Sequence, residues 1–211
     1  MLRRLPTLIE PEPGRPEPDP DHPMRKVTRQ VAFDPAGWTP ERAAKVVELF
    51  DGLAPEWHTR GTDERMTGID DALERGGPFP PGPCLEAGCG VGLLTPRLVA
   101  RFEDVIASDI SYEMLGRAPH ITPLVLADSS RLPFPDRSIG TLVLVNMFLF
   151  PVEVERVIAD DGVVLWINSL GPATPIHLPA EEVQAALGDA WDGVHAEAGW
   201  GTWASMRRRP R

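Results

Sequence analysis

The run Leu85-Glu86-Ala87-Gly88-Cys89-Gly90-Val91-Gly92 is the densest chemical signal in the chain. It leaves a short apolar segment, Cys84 to Ala87, and opens a segment of helical spacing, Gly92 to Phe102. Glycines at such a turn let the backbone bend sharply and pass close to a ligand. A helix N-terminus behind the turn offers free N–H groups, so a carboxylate or a phosphate could rest there. Two more acidic residues follow in step. Asp109 closes the apolar run Val105 to Ser108, and Asp128 closes Leu124 to Ala127. Carboxylates at successive strand ends can accept charge-assisted hydrogen bonds from amines and hydroxyls. A phosphate-binding P-loop would need Gly-Lys-Ser/Thr, but Leu93 and Leu94 follow Gly92. The dinucleotide fingerprint G-x-G-x-x-G, counted from Gly88, needs glycine where Leu93 stands, which weakens that reading without excluding it.

The elements that must position these groups alternate. Strands are expected at Cys84 to Ala87, Val105 to Ser108, Leu124 to Ala127, Ile139 to Val145 and Val163 to Asn168. Helices are expected at Gly92 to Phe102, Ser111 to Arg117 and Pro151 to Ala159. Near-continuous apolar strands separated by helices imply a parallel sheet covered on both faces. The C-terminal part differs. A helix over Pro179 to Leu187 precedes two strands, Trp191 to Ala196 and Gly201 to Met206, joined by a turn at Gly199 in an antiparallel hairpin. Upstream, Thr39 is a helix cap with Pro40 in the first turn, and Ala43, Val46, Val47, Phe50 and Leu53 recur at helical spacing. A second helix is expected over Thr62 to Glu74.

Composition narrows the function. The 211 residues suit one domain with one sizeable core. The formal net charge is −10, against a nucleic-acid partner, which would need clustered Lys and Arg. The longest apolar stretch, Ile139 to Val154, is broken by Gly140, Asn146, Pro151 and Glu153, so no membrane span is expected. The N-terminus lacks the apolar segment of a secretory signal. The two cysteines, Cys84 and Cys89, have no zinc-spaced partners and read as free thiols in a reducing cytoplasm. Residues 1–25 hold seven prolines with acidic residues between them, a composition expected to stay disordered or extended.

A glycine run of the form G-x-G-x-G behind an acidic residue resembles the class I S-adenosylmethionine-dependent methyltransferases. The likeness continues through Val105-Ile106-Ala107-Ser108-Asp109-Ile110-Ser111 and Leu126-Ala127-Asp128-Ser129-Ser130-Arg131-Leu132-Pro133-Phe134. It extends to Arg156-Val157-Ile158-Ala159-Asp160-Asp161-Gly162 and, upstream, to Leu49-Phe50-Asp51-Gly52-Leu53-Ala54-Pro55-Glu56-Trp57. The general type is the small-molecule branch that includes quinone-biosynthesis enzymes. The resemblance implies S-adenosylmethionine as cofactor, methyl transfer by in-line displacement, and a role for each matching residue. Glu86 would fix the donor's amino group, and Gly88 and Gly90 would pass along its methionine part. Asp109 would accept from both ribose hydroxyls. Ile110 would pack on adenine, while Asp128 and the Ser129 N–H would read its polar edge. Asn146 would lie near the methyl group, and Trp57 would close over the cofactor. The Pro-Pro-aromatic signature of the branch acting on nucleic-acid and glutamine amino groups is missing, since Met147-Phe148-Leu149-Phe150 follow Asn146.

A base is needed only if the acceptor enters protonated. His58 beside Trp57 and His177 in the loop after the fifth core strand are the candidates, with a solvent-exposed histidine as the plainer alternative for each. The expected architecture is a doubly wound Rossmann-like α/β sheet of about seven strands with the last one antiparallel. Residues 1–37 form a Pro-rich tail and 38–211 a single domain, divided into a helical lid (38–77), a cofactor-binding core (82–168) and a C-terminal helix and hairpin (169–211). The expected partner is a small-molecule acceptor, with no nucleic acid, no membrane and no metal, and the protein acts as monomer or homodimer. Two other readings stay open: a silent S-adenosylmethionine-binding scaffold that works through a partner, and an NAD(P)-dependent oxidoreductase.

Overall fold

Each core strand is apolar on both sides, so it must be covered twice. The computed structural model, which describes residues 2–209, meets that demand with one mixed sheet and helices on both faces. The strands are β1 (Leu2–Arg4), β2 (Cys84–Ala87), β3 (Val105–Asp109), β4 (Leu124–Leu126), β5 (Ile139–Val145), β6 (Ile158–Asn168), β7 (Trp191–Ala198) and β8 (Gly201–Arg208). The helices are α1 (Pro23–Phe33), α2 (Pro40–Leu53), α3 (Asp63–Arg75), α4 (Thr95–Arg101), α5 (Tyr112–Leu115), α6 (Pro151–Val157) and α7 (Ala180–Leu187). Among the described residues, no helix is long and apolar enough to cross a membrane.

The eight strands lie in the order β1-β7-β8-β6-β5-β2-β3-β4. Only β8 runs against its neighbours, pairing antiparallel with both β6 and β7. The strand order reverses between β5 and β2, which pair in parallel. Ligands of open α/β sheets bind beyond the strand carboxyl ends at such a reversal.

Alternation along β6 shows how the two cores divide. Val164 and Trp166 join Leu85, Leu142, Leu144, Val154 and Val183 on one face. Val163, Leu165 and Ile167 join Met66, Ile69, Leu73, Leu98 and Trp203 on the other. On that second face the buried Asp71 ties α3 to β8. It accepts the Trp203 indole N–H at 2.7 Å, and Arg75 forks onto its two oxygens at 2.7 and 2.6 Å. Asp71→Ala would strand the indole donor and free Arg75, a cost of about 2–4 kcal/mol because Arg75 keeps some access to water. Urea unfolding at unchanged slope measures it. A midpoint equal to wild type would show that the network adds nothing.

The structure departs from the expected architecture at three places. First, the sheet has eight strands. Within the segment read as a free tail, Leu2–Arg4 adds a parallel edge strand to β7, and Pro23–Phe33 is a helix whose Thr28, Val31 and Ala32 are buried. Tertiary partners supply the burial that this segment's own composition lacks. Second, the helix expected from Gly92 starts at Thr95. Gly88, Gly90 and Gly92 have φ of +75°, +56° and +72°, left-handed values that keep the chain out of a helix until the loop has ended. Third, β6 begins at Ile158 rather than Val163. Ile158 pairs with Ile139, and the register shifts before Val163 pairs with Thr141.

Candidate active site at the carboxyl edge of the sheet

The glycine loop is fastened from below. The Gly88 and Cys89 N–H groups donate to the Ser108 carbonyl at 2.8 and 2.9 Å. The Gly90 N–H donates to Asp109 Oδ2 and the Ser111 N–H to Asp109 Oδ1, both at 2.8 Å. Side chains are excluded on steric grounds as well. A Cβ at Gly88 would lie 2.5 Å from Met147 Sδ, and one at Gly90 3.0 Å from Trp57 Nε1. The loop therefore presents bare backbone to the space above it.

Three carboxylates face that space from the ends of β2, β3 and β4. Glu86 is buried and accepts the Thr95 hydroxyl at 2.6 Å. Burial pushes its carboxyl up to about 8, the Thr95 hydrogen bond opposes this, and the charge of Asp109 adds to it. Asp109 is also buried and raised by desolvation, against the pull of the Ser111, Gly90 and Ile110 backbone. Asp128 lies just past β4. Its Oδ1 accepts the Ser130 N–H at 2.8 Å, and its Oδ2 accepts the Trp38 indole N–H at 2.9 Å.

A cavity of about 380 Å³ joins these groups. Its floor includes Glu86, Gly88, Gly90, Asp109, Ile110, Asp128, Ser129 and Asn146. Its roof comes from the N-terminal elements, with Trp38, Phe50 and Trp57 among the lining residues. Phe50 and Trp57 meet edge to face with ring centroids 5.5 Å apart. Trp38 packs against Phe148 and Phe150 at 5.4 and 5.2 Å. Asn146 follows β5 with φ +51°, a conformation that asparagine tolerates better than most residues. Its side chain is locked to Ser169, donating to the hydroxyl at 2.9 Å and accepting the N–H at 2.8 Å.

All nine residues expected to touch the cofactor, Trp57, Glu86, Gly88, Gly90, Asp109, Ile110, Asp128, Ser129 and Asn146, line this one cavity. The two histidines named as candidate bases do not. His58 is exposed, with Nδ1 3.1 Å from the Pro55 carbonyl. His177 is half-buried outside the cavity lining, with Nδ1 3.3 Å from an Arg25 nitrogen. Burial first, then the charges of Arg25 and Arg15, push its pKa down to about 4. A neutral ring held by a guanidinium is poorly placed to take a proton from a ligand in the cavity. His22 is the histidine on the cavity wall. Its Nδ1 accepts the Met24 N–H at 3.2 Å as the cap of α1. Sequence reasoning also passed over Trp38, Arg60 and Arg65, which line the same cavity. Trp38 reaches Asp128 across 90 positions, and no local pattern signals that contact.

The family described as "Methyltransferase domain" matches residues 85–165, the span from β2 into β6. No curated protein matches the sequence. Among solved structures, the chain is similar to a SAM-dependent methyltransferase from Aquifex aeolicus. The identity is 17%, the TM-score 0.61, and the match covers 72% of this chain and 97% of that one. It is also similar to DhpI in complex with SAH, at 20% identity and TM-score 0.60, covering 78% of this chain and 96% of that one. A putative type 11 methyltransferase from Sulfolobus solfataricus matches at 19% identity and TM-score 0.50, over 62% and 85% of the two chains. The sheet order and the covering N-terminal helices agree with that fold. Residues 85–165 thus match a methyltransferase-domain family, and the chain has the fold of the S-adenosylmethionine-dependent methyltransferase structures it is similar to. One of those structures holds SAH, the demethylated form of S-adenosylmethionine. The residues present fit S-adenosylmethionine, with left-handed glycine backbone beside three carboxylates suited to an amine and to hydroxyls.

Proposed function

We propose that the enzyme methylates a small-molecule acceptor by in-line displacement, releasing S-adenosylhomocysteine. One observation carries the reading. The glycine loop, the three carboxylates and the aromatic groups Trp38, Phe148 and Phe150 share a single cavity roofed by the N-terminal elements. Donor and acceptor must therefore meet inside one small enclosure. The cofactor supplies an electrophilic methyl group on a sulfonium centre. The chain's own task is alignment, which can account for roughly 7–11 kcal/mol of a barrier.

The residue roles are those that the resemblance implies, and the shared cavity supports them. Asp109 holds the loop and accepts from the ribose hydroxyls with its remaining lone pairs. Asp128 and the Ser129 N–H read the adenine edge, and Ile110 packs beside it. Trp38 fixes the Asp128 carboxylate through its indole N–H. Glu86 holds the donor's amine, Gly88 and Gly90 border its methionine part, and Asn146 keeps the wall rigid near the methyl group. Trp57 closes the loop from above. His58 and His177 are left without a part in the chemistry, so a protonated acceptor would have to rely on His22.

The test incubates the enzyme with methyl-labelled S-adenosylmethionine and a cell extract resolved into small molecules, protein and nucleic acid. Label in the small-molecule fraction is the expected result. Label that appears only in protein or nucleic acid would overturn the proposal.

A further inference from the structure

Two arginines line the cavity with no carboxylate partner among the described residues. Arg60 ends the 3-10 turn Ala54–Arg60, and Arg65 stands in the first turn of α3. Both are half-buried. The Arg60 guanidinium lies over the Trp57 ring, 4.5 Å from its centroid. Among the described residues no carboxylate pairs with either arginine, although Arg75, Arg97 and Arg156 all have carboxylate partners. Each of the three cavity carboxylates is already engaged elsewhere: Glu86 with Thr95, Asp109 with backbone, Asp128 with Trp38. Burial and the neighbouring Arg60 charge both lower the pKa of Arg65, which places two like charges close together in a partly dry space.

Two unpaired guanidiniums beside a cavity cost free energy unless a ligand brings an anion to them. The bound cofactor carries two positive centres and one carboxylate, so it adds net positive charge to the cavity. Its single carboxylate can meet at most part of the charge of the pair. We propose that Arg60 and Arg65 receive an anionic group of the methyl acceptor, which is therefore an apolar or aromatic acid bearing a carboxylate or a phosphate ester. The guanidinium fork suits either oxyanion. Met66, Ile69, Leu93 and the aromatic side chains supply apolar wall for the rest of the molecule. The inference rests on the proposed small-molecule reading and narrows it to one chemical class.

The experiment measures equilibrium binding to the full chain loaded with S-adenosylhomocysteine. The probes are benzoate and phenyl phosphate, with benzamide and phenol as neutral counterparts. The acids should bind at least tenfold more tightly than the neutral probes. Arg60→Gln and Arg65→Gln should each erase most of that preference, and Arg65→Lys should keep part of it, which also guards against a variant that merely misfolds. Affinity for S-adenosylhomocysteine should stay within about twofold. Equal binding of acids and neutral probes, or none by either, would overturn the proposal. The alternative source of the anion is the cofactor's own carboxylate. 5′-Methylthioadenosine lacks it, together with the amine. If the glutamine variants lose their preference for S-adenosylhomocysteine over 5′-methylthioadenosine, the pair serves the cofactor and the acceptor assignment fails. If the wild type binds no S-adenosylhomocysteine at all, the parent reading fails with it, and that outcome is distinct from the loss of acid preference alone.

Discussion

Asp109→Ala should bind S-adenosylhomocysteine at least a hundredfold more weakly than wild type, about 2.7 kcal/mol. The side chain does two things at once. Its oxygens accept the Gly90 and Ser111 N–H groups at 2.8 Å, so they hold the loop in its left-handed path. Each of those oxygens has a further lone pair for a hydroxyl of the ligand. Hydrogen bonds to a charged acceptor contribute about 1.5–3 kcal/mol each, and the alanine variant loses several. The Gly90 N–H would also be left buried without a partner. Asp109→Asn keeps one carbonyl acceptor and the same shape, so it should fall between the two. Calorimetric titration measures all three proteins, with circular dichroism to confirm folding. A loss of less than threefold in the alanine variant would remove Asp109 from the site.

Binding of S-adenosylmethionine at pH 7 should expel a proton from Glu86. In the free protein, burial holds this carboxyl at about 8, so it is mostly protonated at neutral pH. A ligand ammonium beside it favours the charged form and lowers its pKa, and the proton leaves. Titration in two buffers of different ionisation enthalpy counts the protons released, and the expected number approaches one. The same shift makes the free protein's stability depend on pH. Between the ordinary value of 4.5 and about 8, the folded chain keeps a proton that the unfolded chain has lost. Stability therefore falls as pH rises through that window. The bound cofactor should flatten the fall, and Glu86→Gln should abolish the proton release and leave only the part of the fall that the raised Asp109 contributes. Identical proton counts in wild type and Glu86→Gln would place the linkage elsewhere.

The parts of the site readable in the sequence are those whose chemistry is local. The glycines need left-handed backbone within five residues, and the acids at 86, 109 and 128 sit where short apolar runs stop. Those signals survive in a linear string, and Glu86, Gly88, Gly90, Asp109 and Asp128 all line the cavity, as do Trp57, Ile110, Ser129 and Asn146, which only the resemblance implied. Side-chain direction does not survive in the same way. The sequence puts the loop carrying His177 at the sheet's carboxyl edge, but nothing local signals that its ring meets Arg25, 152 positions earlier, and does not line the cavity. Arg60 and Arg65 look like ordinary surface charges until the fold shows them on the cavity wall with no carboxylate partner among the described residues. The strand at Leu2–Arg4 was invisible for a further reason. Three residues carry no period, and its identity as a strand comes from β7 alone.

That strand sets an order of assembly. Leu2, Arg3 and Arg4 take their register from Gly193, Val194 and His195, and the Arg4–Glu197 ion pair spans 193 positions. The Leu5 N–H and the Gly199 N–H continue the contact, bonding to the carbonyls of His195 and Ile9. A ribosome making roughly 5–20 residues per second needs about 10–40 seconds to reach the partner strand. Through that interval β2 to β6 can pair among themselves, while the β1 segment has nothing to dock on. Leu2 and Leu5 lack their cover for the whole delay. The β1 segment is thus made long before the strand that seats it, and the β1 edge closes only after the β7–β8 hairpin exists to receive it.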